Sequence, residues 1–76
     1  MKIWRLSCSF AGDPLHTWGY YQYKPTIEAL LLQFKDYWSI VSLSELDKLI
    51  SEGKLKHRYD EFYLEEIGVI ENEMGF

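Results

Sequence analysis

Seventy-six residues are enough for one domain but not two, because a second core would need about 50 residues of its own. A hydrophobic share of 47% beside 26% charged residues excludes intrinsic disorder over most of the chain, and the longest unbroken apolar run, Ala29 to Leu32, is far short of the roughly 20 residues of a membrane-spanning helix. Twelve acidic against eight basic side chains leave −4, which opposes a protein built to grip phosphate backbones.

No basic stretch leads into an apolar run at the start of the chain, so no signal peptide is expected. Cys8 is the only cysteine and has no internal disulfide partner, which points to a reducing, cytoplasmic setting. Aromatic residues make up 17% of the chain. In so short a chain, which buries only roughly 60% of its unfolded surface, they either pack a dense core or wait for a partner to cover them.

Residues 2–10 alternate. Trp4, Leu6, Cys8 and Phe10 share one face and Arg5, Ser7 and Ser9 the other, the pattern of a half-buried strand. Ala11-Gly12-Asp13-Pro14 is turn chemistry. Thr17 to Tyr23 is rich in β-formers and predicts a second, antiparallel strand, in which Gly19 marks a bulge or a close backbone approach.

After Pro25 the period changes. Thr26 suits an N-cap, and Ile27, Leu30, Leu31, Phe34 and Trp38 fall at the spacing of one helix face, with Glu28 in the first turn. Ser42 and Glu45 have the spacing of a capping box, Leu43, Leu46, Leu49 and Ile50 form an apolar stripe, and Gly53 sits where a helix ends. A second helix is predicted over about 43–52. The segment 59–67 fits helical or strand spacing. Its valine, isoleucines and aromatics, with Gly68, favour a strand over about 60–70, which also relieves the marginal stability of a lone hairpin. The expected fold is α+β, β-β-α-α-β: a small antiparallel sheet with helices packed on one face, one domain over 1–76.

Charge is uneven along the chain. Residues 60–76 hold six acids and no Lys or Arg, so that segment is −6 while the remainder is +2. Lys54, Lys56 and Arg58 stand directly before it.

Four chemistries compete for these residues. A thiol nucleophile needs a neighbouring base, and Cys8, Asp13 and His16 are close in sequence, but Cys8 has core parity and reads as a small hydrophobe. The same residues with His57 match no metal-ligand spacing, and no glycine-rich loop opens a helix, so no catalytic residue, cofactor or metal is expected. Trp18, Tyr20, Tyr21 and Tyr23, with Lys2, Arg5 and Lys24, offer a stacking strand for single-stranded nucleic acid, against the net charge. Adjacent Glu65 and Glu66 point to opposite faces of a strand and read most simply as a solvated edge. An acidic segment flanked by aromatics also suits docking to a basic surface, the acids steering and the aromatics anchoring.

The start Met1-Lys2-Ile3-Trp4-Arg5-Leu6, the turn Gly12-Asp13-Pro14, the run Trp18-Gly19-Tyr20-Tyr21-Gln22-Tyr23 and the helix entry Lys24-Pro25-Thr26-Ile27-Glu28-Ala29-Leu30 give the chain a style. In size, acidity and layout it resembles the small accessory proteins of phages and mobile elements, including anti-CRISPR inhibitors. That resemblance implies an inhibitor of a bacterial defence complex that blocks nucleic-acid binding or nuclease recruitment in the host cytoplasm. The expected function is therefore non-catalytic protein binding. Asp60, Glu61, Glu65 and Glu66 would meet a basic nucleic-acid-binding surface, with Tyr20, Tyr21, Tyr23 and Tyr63 buried at the contact. The alternatives are a single-stranded nucleic-acid binder using 18–23 and a structural homodimer.

Overall fold

A computed structural model describes residues 2–68. The elements are β1 (Lys2–Ser9), β2 (His16–Tyr21), α1 (Ile27–Gln33), α2 (Leu43–Glu52), β3 (Lys54–His57) and β4 (Asp60–Gly68). The strands form one antiparallel sheet in the order β2-β1-β4-β3, and the α+β class follows. Val69 and Ile70 of the expected last strand, together with Glu71, Glu73 and Phe76, lie outside the described residues.

The expected layout lacked one strand. Lys54–His57 carries one apolar residue, Leu55, between two lysines, too short an alternation to register as a strand in sequence. Gly53 connects it to α2. With φ at +77° the glycine ends the helix, its N–H donates to the Leu49 carbonyl at 2.9 Å, and the chain turns directly into β3. Leu55 is buried, and only Arg58 and Tyr59 separate β3 from β4.

Helix starts follow the sequence. Thr26 caps α1 by accepting from the Ala29 N–H, and Ser42 with Glu45 forms a complete capping box on α2. Helix α1 is shorter than its periodicity predicted. It ends at Gln33 with Phe34 as C-cap, so Trp38 lies beyond it in the connection to α2 and is exposed, as is Leu31; Ile27, Leu30 and Phe34 supply the face that packs. On α2, Leu46 and Leu49 are fully buried and Leu43 is exposed.

Strand β2 runs from His16 to Tyr21, not to Tyr23, and its bulge is where Gly19 pointed. Leu6 pairs with Gly19 and Ser7 with Thr17, leaving Trp18 as the extra residue. The bulge turns Trp18 to the same side as Tyr21, and its ring meets Phe34 at 4.8 Å and Phe62 at 5.5 Å. At Gly19 a side chain would put Cβ 2.8 Å from Gln33 Oε1, so glycine lets the Gln33 amide lie against the bulge.

The core fills the helix-covered face with Leu6, Cys8, Leu30, Phe34, Leu46, Leu49, Leu55, Phe62 and Leu64. Phe62 is its aromatic centre, with Phe34, Tyr37 and Phe10 around it at 4.9, 5.4 and 6.2 Å, all near edge-to-face. Such pairs contribute about 0.5–1.5 kcal/mol each beyond area burial. Among the described residues, no helix lies on the opposite face of the sheet. Ser7 and Ser9 belong to that face yet are buried, because β1 is a central strand: Ser7 lies between Thr17 and Tyr63 in the register, and Ser9 donates to the Asp13 carbonyl.

Candidate functional site

The described acids of the 60–76 segment do not form one acidic surface. Asp60 shares the parity of Phe62 and Leu64 and is 2% exposed. Its Oδ1 accepts from the Ala11 N–H at 2.9 Å, and its Oδ2 accepts from the Trp38 Nε1–H at 2.7 Å and from the Tyr37 hydroxyl. Desolvation pushes the Asp60 carboxyl up, but these three donors outweigh it and hold the group below its ordinary value. Asp60 is thus an internal clamp joining the β1–β2 turn, the α1–α2 connection and β4, and it does not face a partner. Its even parity in an apolar strand was the signal in the sequence.

The rest of the expected docking set is divided. Glu65 is on the helix-free face opposite Arg5, which donates to it. Glu66 has the other parity, and its carboxylate is 3.8 Å from Lys2 Nζ. Half-buried Glu61 pairs in register with Lys56 and accepts from the Tyr63 hydroxyl at 3.4 Å. On that face Arg5, Lys54 and Lys56 therefore interleave with Glu61 and Glu65, beside Tyr63 and the exposed Tyr20. Tyr21 turns inward and its hydroxyl donates to Gln33 Oε1 at 3.1 Å, whereas Tyr23 stands past the strand, 76% exposed. With Trp18 and Tyr21 inside, the 18–23 run is not a continuous stacking platform.

The helix-covered side is open at the turn end of the sheet. A groove of about 530 Å³ runs along the end of α1 between Phe10, Trp18, Leu32, Tyr37 and Trp38, with Gln33 and Asp36 on its wall. Sequence reading missed it because Trp38 was placed on the packed face of a longer helix, which stops at Gln33. Of the nine large hydrophobic side chains exposed among the described residues, Leu31, Leu32, Trp38, Ile40 and Leu43 come from this one stretch. Ile40 is 91% exposed.

Next to the groove, four polar side chains are linked. Glu45 Oε2 accepts from His57 Nδ1 at 2.7 Å, His57 Nε2 meets Ser39 Oγ at 3.0 Å, and Arg58 Nε donates to Ser39 Oγ at 3.2 Å. The bond from His57 is the main reason the Glu45 carboxyl sits below its ordinary range, helped by the Ser42 N–H. The chain fastens the α1–α2 connection to α2 and to the β3–β4 turn.

Cys8 and His16 do meet, with Sγ 3.3 Å from Nε2, while His16 Nδ1 lies 3.4 Å from the Pro14 carbonyl. That carbonyl accepts from Nδ1–H and leaves Nε2 to accept from the thiol. Burial, with the charge of Asp60, pushes the thiol up to about 11, so at neutral pH it stays protonated and donates. His57 is on the opposite edge strand of the sheet, and no group of three or more metal-ligating side chains occurs among the described residues.

No helix among the described residues is long and apolar enough to cross a membrane. No family model, no curated protein and no solved structure matches the chain.

Proposed function

We propose that this chain is a non-catalytic protein-binding module that docks through the aromatic groove and its apolar rim. The observation that carries the reading is that Leu32 and Trp38 are exposed on the lining of one open groove, and that Ile40 and Leu43, exposed too, follow Trp38 within five residues in the stretch that leads into α2. Exposed apolar side chains concentrated on one patch mark interaction surfaces, whereas scattered ones are ordinary. The Asp60 clamp and the Glu45–His57–Ser39 chain support the reading because they hold the loop that carries Trp38 and Ile40 in one shape, which lowers the ordering cost of binding. The resemblance in size and layout to phage accessory inhibitors makes the proposed partner a nucleic-acid-handling defence complex, whose activity the bound module blocks.

Immobilised protein is exposed to lysate of a bacterial host and compared with Ile40→Asp and Leu43→Asp, both at exposed positions. One defined complex, retained in stoichiometric amount by the parent and lost with either variant, is the expected result. Equal retention by all three removes this surface, and retention of nucleic acid alone moves the assignment to the helix-free face.

A second reading rests on the in-line order of Glu45, His57 and Ser39, which is that of a hydrolytic triad. It predicts a covalent adduct at Ser39 with a fluorophosphonate. An unchanged intact mass after prolonged incubation eliminates it.

A further inference from the structure

We infer that the aromatic groove is a receptor for an organic cation, namely a basic side chain presented by the partner, arginine in preference to lysine. The inference rests on the docking reading above and names the chemistry that fills the groove.

Three observations carry it. The lining is aromatic: Phe10, Trp18, Tyr37 and Trp38 border about 530 Å³ of open space, and the Tyr37 ring lies 6.2 Å from Phe10 and 5.6 Å from Trp38. Rings grouped around an open volume attract a cation through their quadrupoles, most strongly where water is partly excluded. Second, two of the rings are electronically biased. The Tyr37 hydroxyl and the Trp38 indole N–H both donate to the buried Asp60 carboxylate, which shifts electron density into those rings and deepens the negative potential of their faces. The protein already uses Trp38 in this way, since the Arg58 guanidinium carbon is 5.7 Å from the centroid of its ring.

Third, the lining carries one acid, Asp36, as the counter-charge. Asp36 stands on the wall, is exposed, and makes no ion pair among the described residues. A planar guanidinium stacks on one ring while its N–H groups reach a carboxylate, which a compact ammonium does less well.

The test uses the intact protein labelled with ¹⁵N and three indole resonances as reporters. Trp18 and Trp38 line the groove, and Trp4, which packs under Lys24 at 5.3 Å, serves as the internal control. The probe is N-acetylarginine methylamide, and its uncharged isostere N-acetylcitrulline methylamide is the comparison. Saturable shifts of the Trp18 and Trp38 signals with the arginine probe, at least tenfold weaker with the citrulline probe, are the expected result. Asp36→Asn, at an exposed position, should weaken the arginine response three- to tenfold and leave the citrulline response alone. Equal responses to the two probes, shifts confined to Trp4, or an Asp36→Asn variant indistinguishable from the parent each overturn the inference. If the probes fail while partner capture still depends on Ile40 and Leu43, the cation site is lost and the docking function stands.

Discussion

Trp38 reaches 22 residues along the chain to donate its indole N–H to Asp60 Oδ2 at 2.7 Å, and in doing so it fixes the only stretch that joins the two helices. The same carboxylate holds the Ala11 N–H from the other side. One side chain thus ties two loops to the first residue of β4, beside the groove that Phe10, Tyr37 and Trp38 help to line.

Asp60→Asn keeps the shape but replaces an acceptor oxygen with an NH₂ that faces existing donors. The loss of charge-assisted bonds and the unpaired donors left behind should cost about 3 kcal/mol. For a chain of this size that lowers the melting temperature by more than about 10 °C. Because the folded carboxyl is held below its ordinary value, its contribution is complete above the ordinary carboxylate range and disappears as pH falls through the lower folded value. Thermal melts between pH 7 and pH 2 should show that acid limb in the parent and a flatter one in Asp60→Asn.

The alternation of Leu6 with Cys8, the caps at Thr26 and Ser42, and the helix end at Gly53 were all legible in sequence, because each depends on residues within a few positions of one another. Lys54–His57 was not, since a strand with one buried residue is defined by its neighbour β4 and not by its own pattern. Asp60 was misplaced for a related reason. A run of acids reads as a solvated face, whereas the parity with Phe62 and Leu64 puts this one member inside and leaves Glu65 and Glu66 in pairs with Arg5 and Lys2. Trp38 followed helical spacing beyond the point at which α1 stops. Only the tertiary bond to Asp60 shows what it does.

Two backbone substitutions should act in opposite directions. Ala11 has φ of 51°, a left-handed conformation held by the bond from its N–H to Asp60. Ala11→Gly removes the Cβ strain without touching that bond and should stabilise by about 0.5–1 kcal/mol. Gly53 has φ of 77°, and a Cβ there would lie 3.0 Å from the Leu64 carbonyl oxygen. Gly53→Ala should therefore destabilise by at least about 1 kcal/mol, a conformational penalty with a backbone clash added. Urea unfolding of the two variants checks both signs, and the same sign for both would contradict the geometry.

Neutralising Glu65 or Glu66 should hardly matter to stability. Their pairs with Arg5 and Lys2 are solvent-exposed, and such pairs contribute about 0–1 kcal/mol. Glu65→Lys is a different experiment: it places a cation directly across from Arg5 on a central strand pair, where like charges repel. Denaturation should show Glu65→Gln near the parent and Glu65→Lys clearly below it. Any binding test of the helix-free face therefore has to use the neutral variants, because charge reversal at 65 confounds contact with fold.

Cys8 supplies a test of core integrity. The thiol is fully buried, donates to His16 Nε2, and titrates near 11, so at pH 8 it is almost entirely protonated and shielded. A disulfide reagent such as DTNB should react with the native protein only as fast as the sheet opens, and at the full rate of a free thiol in 6 M guanidinium. Cys8→Ala, which removes one buried heavy atom, should cost about 1 kcal/mol and leave the groove intact. Reaction of native Cys8 at the free-thiol rate would mean that β1 and β2 separate readily, because their register is what places His16 over the sulfur.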